Sequence, residues 1–526
     1  MNGAPGCSNI TAFNSFLAFG AMRSHCLLVN SQPGSYRIEY PKSKIFCYAG
    51  PVTVPHLDHW IAGRATPPGT GDYLPSHSPA TGRLVAQVAR GSESDASAAV
   101  RGATAAQPHW AALSSAQRSQ ALLTLAAKMR DCFDVLVELE AAETGKITGQ
   151  LRGEINNSIE YFGYYAAVVR SLRGQSLEPA PGSFAFVRRE PYGVTAVITP
   201  WNAPLNQACR ETAPALAVGN TVVIKPSEFT STTTLTLARL ATEAGLPDGV
   251  LNVITGIGAE VGEALLRQPD VAKIAFTGSV ATGRRVAAIG AERIVPVTLE
   301  LGGKSASIVF ADANLDRAAQ AVATGFTVNT GQVCSANTRL VVERSVHDDF
   351  VARVTDIVSD LKPGQNIGPI ITGSQFEKVK QYWQIAEREG AKCVVGGSAA
   401  TGGDLDEGQY VLPTIYTNVK PHMRVAQEEI FGPVLAVTPF DGEDEAVRLA
   451  NGTRYGLSSG IWTRDLGRAL RVASCIRAGQ VSVNGGVVNS ETPFGGYGNS
   501  GLGRVKGIEA LNTYTQLKTI SMGTGS

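Results

Sequence analysis

The chain carries eight cysteines and seven histidines, yet no two cysteines form a C-x-x-C pair and no histidines cluster beside one. That removes the ligand spacing of a zinc site and the pattern of a disulfide framework, so no metal is expected. Scattered thiols fit a reducing compartment, the cytoplasm. No run of 18 or more apolar residues occurs, so no membrane span is expected. Charge of one sign is missing too: the formal net charge is +1, which gives nucleic acid or any polyanion no electrostatic footprint. Acidic residues are scarce in one place, residues 1 to about 51, where Glu39 stands alone against Arg23, Arg37, Lys42 and Lys44. An acid-poor, serine-bearing start resembles a transit peptide, but arginine is sparse and no amphipathic helix stands out; residues 1–51 read as a disordered extension or an upstream start in the gene model.

What is present is 526 residues, 44% hydrophobic and 17% charged, the balance of a globular enzyme with about two to four domains. Ser78-Pro79-Ala80-Thr81-Gly82 reads as a turn between two short strands. From Ser94 to Arg170 apolar residues recur at helical spacing. Gly174 to Glu190, broken by Pro179-Ala180-Pro181-Gly182, reads as a hairpin standing off its domain. Val194–Thr199, Thr221–Lys225, Leu251–Thr255 and Lys273–Phe276 are short apolar runs separated by helix-length segments, the mark of βα units in a parallel sheet. The alternation resumes after Gly302-Gly303 as Ser307–Phe310, Arg339–Val342, Lys392–Val395, Val434–Pro439, Gly460–Thr463 and Gln480–Asn484. Asn512 to Ser521 reads as a terminal strand in need of a sheet edge, which another subunit is one way to provide. The expected fold is α/β, two Rossmann-like parallel-sheet domains plus a small β oligomerisation element.

Several residues invite a chemical reading. Cys334 lies among Asn329-Thr330-Gly331-Gln332-Val333 and Ser335-Ala336, a setting suited to a thiol of lowered pKa, though a lone cysteine is more often a small buried hydrophobe. Glu300, after a strand from Ile294 to Leu299 and among apolar neighbours, has the makings of a base with raised pKa; the plainer reading is a solvated acid at a strand end. Asn202, Asn206 and Arg210 recur every four residues from the end of the first strand, where Asn202 suits either an oxyanion donor or a helix N-cap. Lys225 and Glu228 end the second strand, placed for a ribose or simply for each other. Gly256-Ile257-Gly258 and Gly278-Ser279-Val280-Ala281-Thr282-Gly283 open helices, where free amides attract phosphate; neither matches G-x-G-x-x-G.

Together the pieces are far more specific. Val197-Ile198-Thr199-Pro200-Trp201-Asn202, Lys225-Pro226-Ser227-Glu228, Phe276-Thr277-Gly278-Ser279, Leu299-Glu300-Leu301-Gly302-Gly303-Lys304, Gly331-Gln332-Val333-Cys334, Glu428-Glu429-Ile430-Phe431-Gly432-Pro433 and Pro493-Phe494-Gly495-Gly496 resemble, in order and spacing, the aldehyde dehydrogenase superfamily, over about residues 55–520. The resemblance implies an NAD-dependent oxidation of an aldehyde to the acid, with Cys334 as nucleophile, Asn202 and the Cys334 N–H holding the oxyanion, and Glu300 as the base that hydrolyses the thioester. It implies cofactor contacts from Thr199, Trp201, Lys225, Glu228, Gly258, Thr277, Gly278, Ser279, Gly283, Leu301, Glu429 and Phe431. It implies an NAD-binding domain of residues 52–172 and 192–301, a catalytic domain of 302–510, and oligomerisation elements at 173–191 and 511–526 in a homodimer or homotetramer.

Glu228 would accept bonds from a free 2′-hydroxyl and repel a 2′-phosphate, favouring NAD over NADP. Glu300 favours hydrolysis over transfer to coenzyme A. The substrate pocket is assigned to Asn206, Arg210, Val333, Ser335 and Phe494; with Ala203 and Arg210 where many relatives carry aromatic residues, a polar or heteroaromatic aldehyde is expected, its carboxylate met by Arg210 unless Arg210 pairs with Glu211. The competing functions are a cofactor-independent thiol esterase and a non-catalytic structural homologue.

Overall fold

The computed structural model describes residues 54–486 and 489–523; the expectation for residues 1–51 lies outside them. The turn at Ser78–Gly82 joins strands Tyr73–His77 and Leu84–Ala89. Helical periodicity then resolves into α1 (Glu93–Ala112), α2 (Ser115–Asp131), α3 (Phe133–Thr144) and α4 (Thr148–Val168). Their starts are written locally: Ser114 and Gln117 cap each other reciprocally, and Asp95 accepts from Ser92 N.

Strands β1 (Val194–Ile198), β2 (Thr221–Lys225), β3 (Leu251–Val253), β4 (Val271–Thr277) and β5 (Val297–Glu300) pair in parallel in the order β5-β4-β1-β2-β3. Consecutive residues of β2 face opposite ways: Val222 and Ile224 join a core with Trp110, Leu125, Tyr165 and Leu216, while Val223 joins another with Val100, Ile274 and Phe276. Helices cover both faces, which is why β2 reads as an unbroken apolar run. After β1 comes α5 (Pro204–Ala217), with proline at its first turn, and after β4 comes α6 (Val280–Arg293). The chain order reverses between β1 and β4, so their carboxyl ends open the crevice where such sheets bind ligands.

A second sheet is built from β6 (Ala306–Val309), β7 (Arg339–Glu343), β8 (Lys392–Val395), β9 (Thr414–Thr417), β10 (Val434–Phe440), β11 (Ser458–Trp462) and β12 (Gln480–Val483), ordered β8-β9-β10-β7-β6-β11-β12. Only the β8–β9 pair is antiparallel. Helix α7 (Leu315–Thr327) links β6 to the Cys334 loop, and α8 (Gly373–Arg388) precedes β8. Several elements depart from the sequence reading; the strand expected from Ile294 to Leu299 is β5, Val297–Glu300, because Ile294 caps α6 in a left-handed conformation. Strand β9 was not expected, because four residues between Pro413 and Asn418 are too few to show a period. Residues Gly501–Leu502 return to the first sheet and pair antiparallel with β5.

The hairpin is present as Gln175–Ala180 and Ser183–Pro191. The terminal strand is shorter than expected: Glu509–Thr513 is helical and the strand runs Thr515–Gly523. Its edge is supplied by this chain, since Thr515 through Gly523 pair antiparallel with Pro191 through Ser183. The resulting three-stranded sheet exposes Leu177, Phe184, Phe186, Leu517, Ile520 and Met522. Among the described residues no helix is long and apolar enough to cross a membrane.

Candidate active site

The loop before Cys334 is held in a conformation most residues avoid. After α7, Asn329, Thr330 and Gly331 take φ of 48°, 54° and 71°, the left-handed region that costs a non-glycine residue about 1–2 kcal/mol. At Gly331 no other residue fits, since a Cβ would overlap the Gly432 carbonyl. Hydrogen bonds hold the strain in place. The buried Gln332 side chain donates to Asn329 O (2.9 Å) and Pro369 O (3.1 Å) and accepts from Ile371 N (2.8 Å). Asn329 Nδ2 donates to Asn202 O (3.0 Å) and Gln332 O (3.1 Å). Asn202 Nδ2 donates to Gln332 O at 2.9 Å, so the end of β1 is tied to the thiol loop of the second sheet. Helix α5 is capped by Ala203 without any side-chain bond, so Asn202 is no N-cap, and its amide has a second N–H to give.

Cys334 is half-buried and lines a cavity of about 650 Å³ with Asn202, Glu300, Trp201, Thr277, Gly278, Ser279, Leu301, Glu429 and Phe431. The lowered pKa expected of the thiol is not what its surroundings impose. Desolvation pushes it up to about 11, Arg210 pulls the other way and Glu300 adds to the rise. Glu300 ends β5 with 2% of its surface exposed, and neither carboxylate oxygen has a hydrogen-bond partner among the described residues. Desolvation lifts it to about 8 against the pull of Arg210, with Glu211 raising it further. A Cβ on Gly495 would lie 2.9 Å from Glu300 Oε1, so only a glycine lets the Phe494–Gly496 loop pass so close.

A second cleft of about 1450 Å³ shares Pro200, Trp201, Thr277, Gly278 and Ser279 with the first and exceeds the roughly 300–1,000 Å³ of a site for a drug-sized ligand. Thr199, Lys225, Glu228 and Gly258 line it, and Lys225 Nζ meets Glu228 Oε2 at 3.2 Å. Gly283 does not; it lies behind, where a Cβ would press on Leu301. Trp201 and Phe431 meet edge to face at 5.3 Å between centroids, and Glu429 Oε1 accepts from Gly303 N at 3.1 Å.

Arg210 requires a correction. Its guanidinium, 3% exposed, binds Glu211 Oε1 through Nε (3.0 Å) and Thr277 Oγ1 through Nη2 (2.9 Å). A buried charge needs such a partner, so Arg210 is not a free cation awaiting substrate. Asn206 Nδ2 is likewise engaged, by Glu154 O at 3.3 Å. Asn206, Arg210, Val333, Ser335 and Phe494 do not line either cavity, although Phe494 packs with Leu457 and Val505 in a cluster that Cys334 abuts.

The model of the aldehyde dehydrogenase family matches residues 66–520. This chain belongs to the aldehyde dehydrogenase family. It is similar to a solved NAD-dependent aldehyde dehydrogenase from Sinorhizobium meliloti, at 38% identity over 90% of this chain and 95% of that one, with a TM-score of 0.88. It is similar to the indole-3-acetaldehyde dehydrogenase of P. syringae, solved with NAD+ and IAA, at 38% identity over 89% and 96% of the two chains (TM-score 0.87). Betaine aldehyde dehydrogenase from Staphylococcus aureus, solved with NAD+, matches at 34% identity over 89% and 96% (TM-score 0.87).

The cleft fits a dinucleotide on its own terms. Thr199 Oγ1 is buried with no hydrogen-bond partner among the described residues, Ser279 caps α6 beside free N–H groups, and a Lys–Glu pair stands at the end of β2, where a ribose would meet it. Other lining residues escaped the sequence reading. Gln207, Gln375 and Lys378 line the Cys334 cavity; Gln375, on α8, donates to Ile430 O (2.6 Å) and Phe431 O (3.0 Å) and so fixes the turn carrying Phe431. Gln375 and Lys378 are three apart on one helix face, a spacing visible once α8 is known.

Proposed function

We propose that this aldehyde dehydrogenase oxidises an aldehyde to the carboxylic acid with NAD, through a thioester on Cys334. The observation that carries the reading is that Cys334, Asn202 and Glu300 line one cavity continuous with the cleft of Lys225 and Glu228. Cys334 Sγ attacks the carbonyl carbon as the thiolate, its proton having passed to solvent. The second N–H of Asn202 and the Cys334 backbone N–H hold the resulting oxyanion. NAD in the cleft supplies the hydride acceptor. Glu300 then withdraws a proton from the water that releases the acyl group from Cys334.

Residues 52–172 and 192–301 act as the NAD-binding domain and 302–510 as the catalytic domain; their separate parallel sheets support that division. Glu228 selects NAD over NADP. The oligomerisation elements 173–191 and 511–526 serve a homodimer or homotetramer, and the exposed apolar side chains on Gln175–Ala180, Ser183–Pro191 and Thr515–Gly523 support that reading. Free Cys132, Cys209, Cys334, Cys393 and Cys475 suit a cytoplasmic enzyme, and a polar or aromatic aldehyde is its substrate.

The test is NADH formation by the full chain across polar, aromatic and aliphatic aldehydes, with Cys334→Ala as control. Turnover of aldehydes that disappears in Cys334→Ala is expected. Ester hydrolysis without NADH formation, or activity surviving that substitution, overturns the reading.

A further inference from the structure

Two cations flank the Phe494 ring: the Arg210 guanidinium carbon lies 5.7 Å from its centroid and Lys506 Nζ 5.3 Å. They differ in what else they touch. Arg210 is committed to Glu211 and Thr277, whereas Lys506 has neither a hydrogen bond nor an ion pair among the described residues. On its other side it meets the Tyr161 ring on α4, 6.0 Å from Nζ to centroid. The backbone holds Lys506 there: Phe494 N donates to Val505 O (2.7 Å) and Val505 N to Phe494 O (2.8 Å), and Lys506 follows at φ 61°. That same Phe494–Val505 pair, with Leu457, is the apolar cluster against which Cys334 packs.

We propose that Lys506, between the faces of Phe494 and Tyr161, is a specificity-determining residue that binds a carboxylate borne by the aldehyde substrate. This rests on the reading of Cys334 as the site of aldehyde oxidation and narrows its substrate class. An ammonium over two rings is attracted to their faces, but its three donors remain unspent. Desolvation, with Arg210 close by, draws Lys506 down to about 8, while Cys334 and Glu300 hold it up. A substrate carboxylate restores the missing counter-ion and takes a charge-assisted hydrogen bond.

The experiment compares kcat/KM for formylbenzoates and short aliphatic aldehyde-acids with that for their methyl esters, in wild type, Lys506→Met, Lys506→Arg and Arg210→Met. The wild type is expected to prefer at least one acid over its ester by roughly 10-fold or more, Lys506→Met to lose that preference and Lys506→Arg to keep it. The acid-to-ester ratio is the readout, because loss of folded protein lowers both alike; Lys506→Gln stands in if Lys506→Met fails to fold. Equal use of acid and ester by the wild type, or a preference that persists in Lys506→Met and vanishes in Arg210→Met, overturns the proposal. Turnover of esters but of no acid overturns the subsite alone, whereas no NADH from any aldehyde overturns the catalytic reading and the subsite with it.

Discussion

Glu300→Gln is expected to make the cofactor-free protein more stable in alkali while depriving it of its base. The unfolded carboxyl ionises near 4.5 and the folded one near 8. Between those values the folded state keeps a proton that the unfolded chain has released, so wild-type stability falls as pH rises and levels off above the folded value. The accumulated loss is on the order of 5 kcal/mol. Glutamine is isosteric, never ionises and is spared that loss. Melting both proteins at one scan rate from about pH 5 to about pH 9 should show the variant's advantage growing with pH and saturating past pH 8. In the same protein steady-state turnover should fall by roughly 10²–10⁴-fold. A gap that does not change with pH, or a wild type more stable in alkali, would refute the placement of a desolvated carboxyl beside Cys334.

Asn202→Ala should lower kcat by about 10²–10³-fold, the loss of one oxyanion donor; unchanged kcat removes Asn202 from the mechanism. With a thiol pKa of about 11, iodoacetamide should label Cys334 of the cofactor-free protein at a rate that climbs with pH towards that value, because the thiolate is the nucleophile. A labelling rate already flat at neutral pH, followed on the Cys334 peptide by mass spectrometry, would contradict the desolvation of the site. Glu228→Ala should reduce the NAD-to-NADP ratio of kcat/KM by roughly 10-fold or more, and an unaltered ratio would place cofactor choice elsewhere.

What the sequence made legible was whatever is encoded locally. The helical spacing from Ser94 to Arg170, the apolar runs of β1 to β7 and the motif residues around Cys334 and Glu300 announce themselves through spacing. The raised pKa of Glu300 followed from its apolar neighbours. Relations across the fold were not legible. Nothing near Cys334 in the chain tells that burial outweighs Arg210 and raises its pKa, or that Asn329 and Thr330 are held left-handed by Gln332, Pro369 and Ile371. Arg210 had two possible partners in the sequence, and the structure commits it to Glu211 and Thr277. The terminal strand needed an edge, and only its register showed that the chain's own hairpin provides it. Lys506 carries no motif signal, since its meaning lies in Phe494 and Tyr161, residues far from it in the chain.

The most direct test of the account is to catch the acyl-enzyme. Glu300→Gln protein is mixed with NAD and an aldehyde that the wild type turns over, quenched in acid, and its Cys334 peptide weighed by mass spectrometry. The account predicts a burst of NADH matched by an acyl group on Cys334. An unmodified Cys334 after the burst, or an acyl group on another residue, would contradict it.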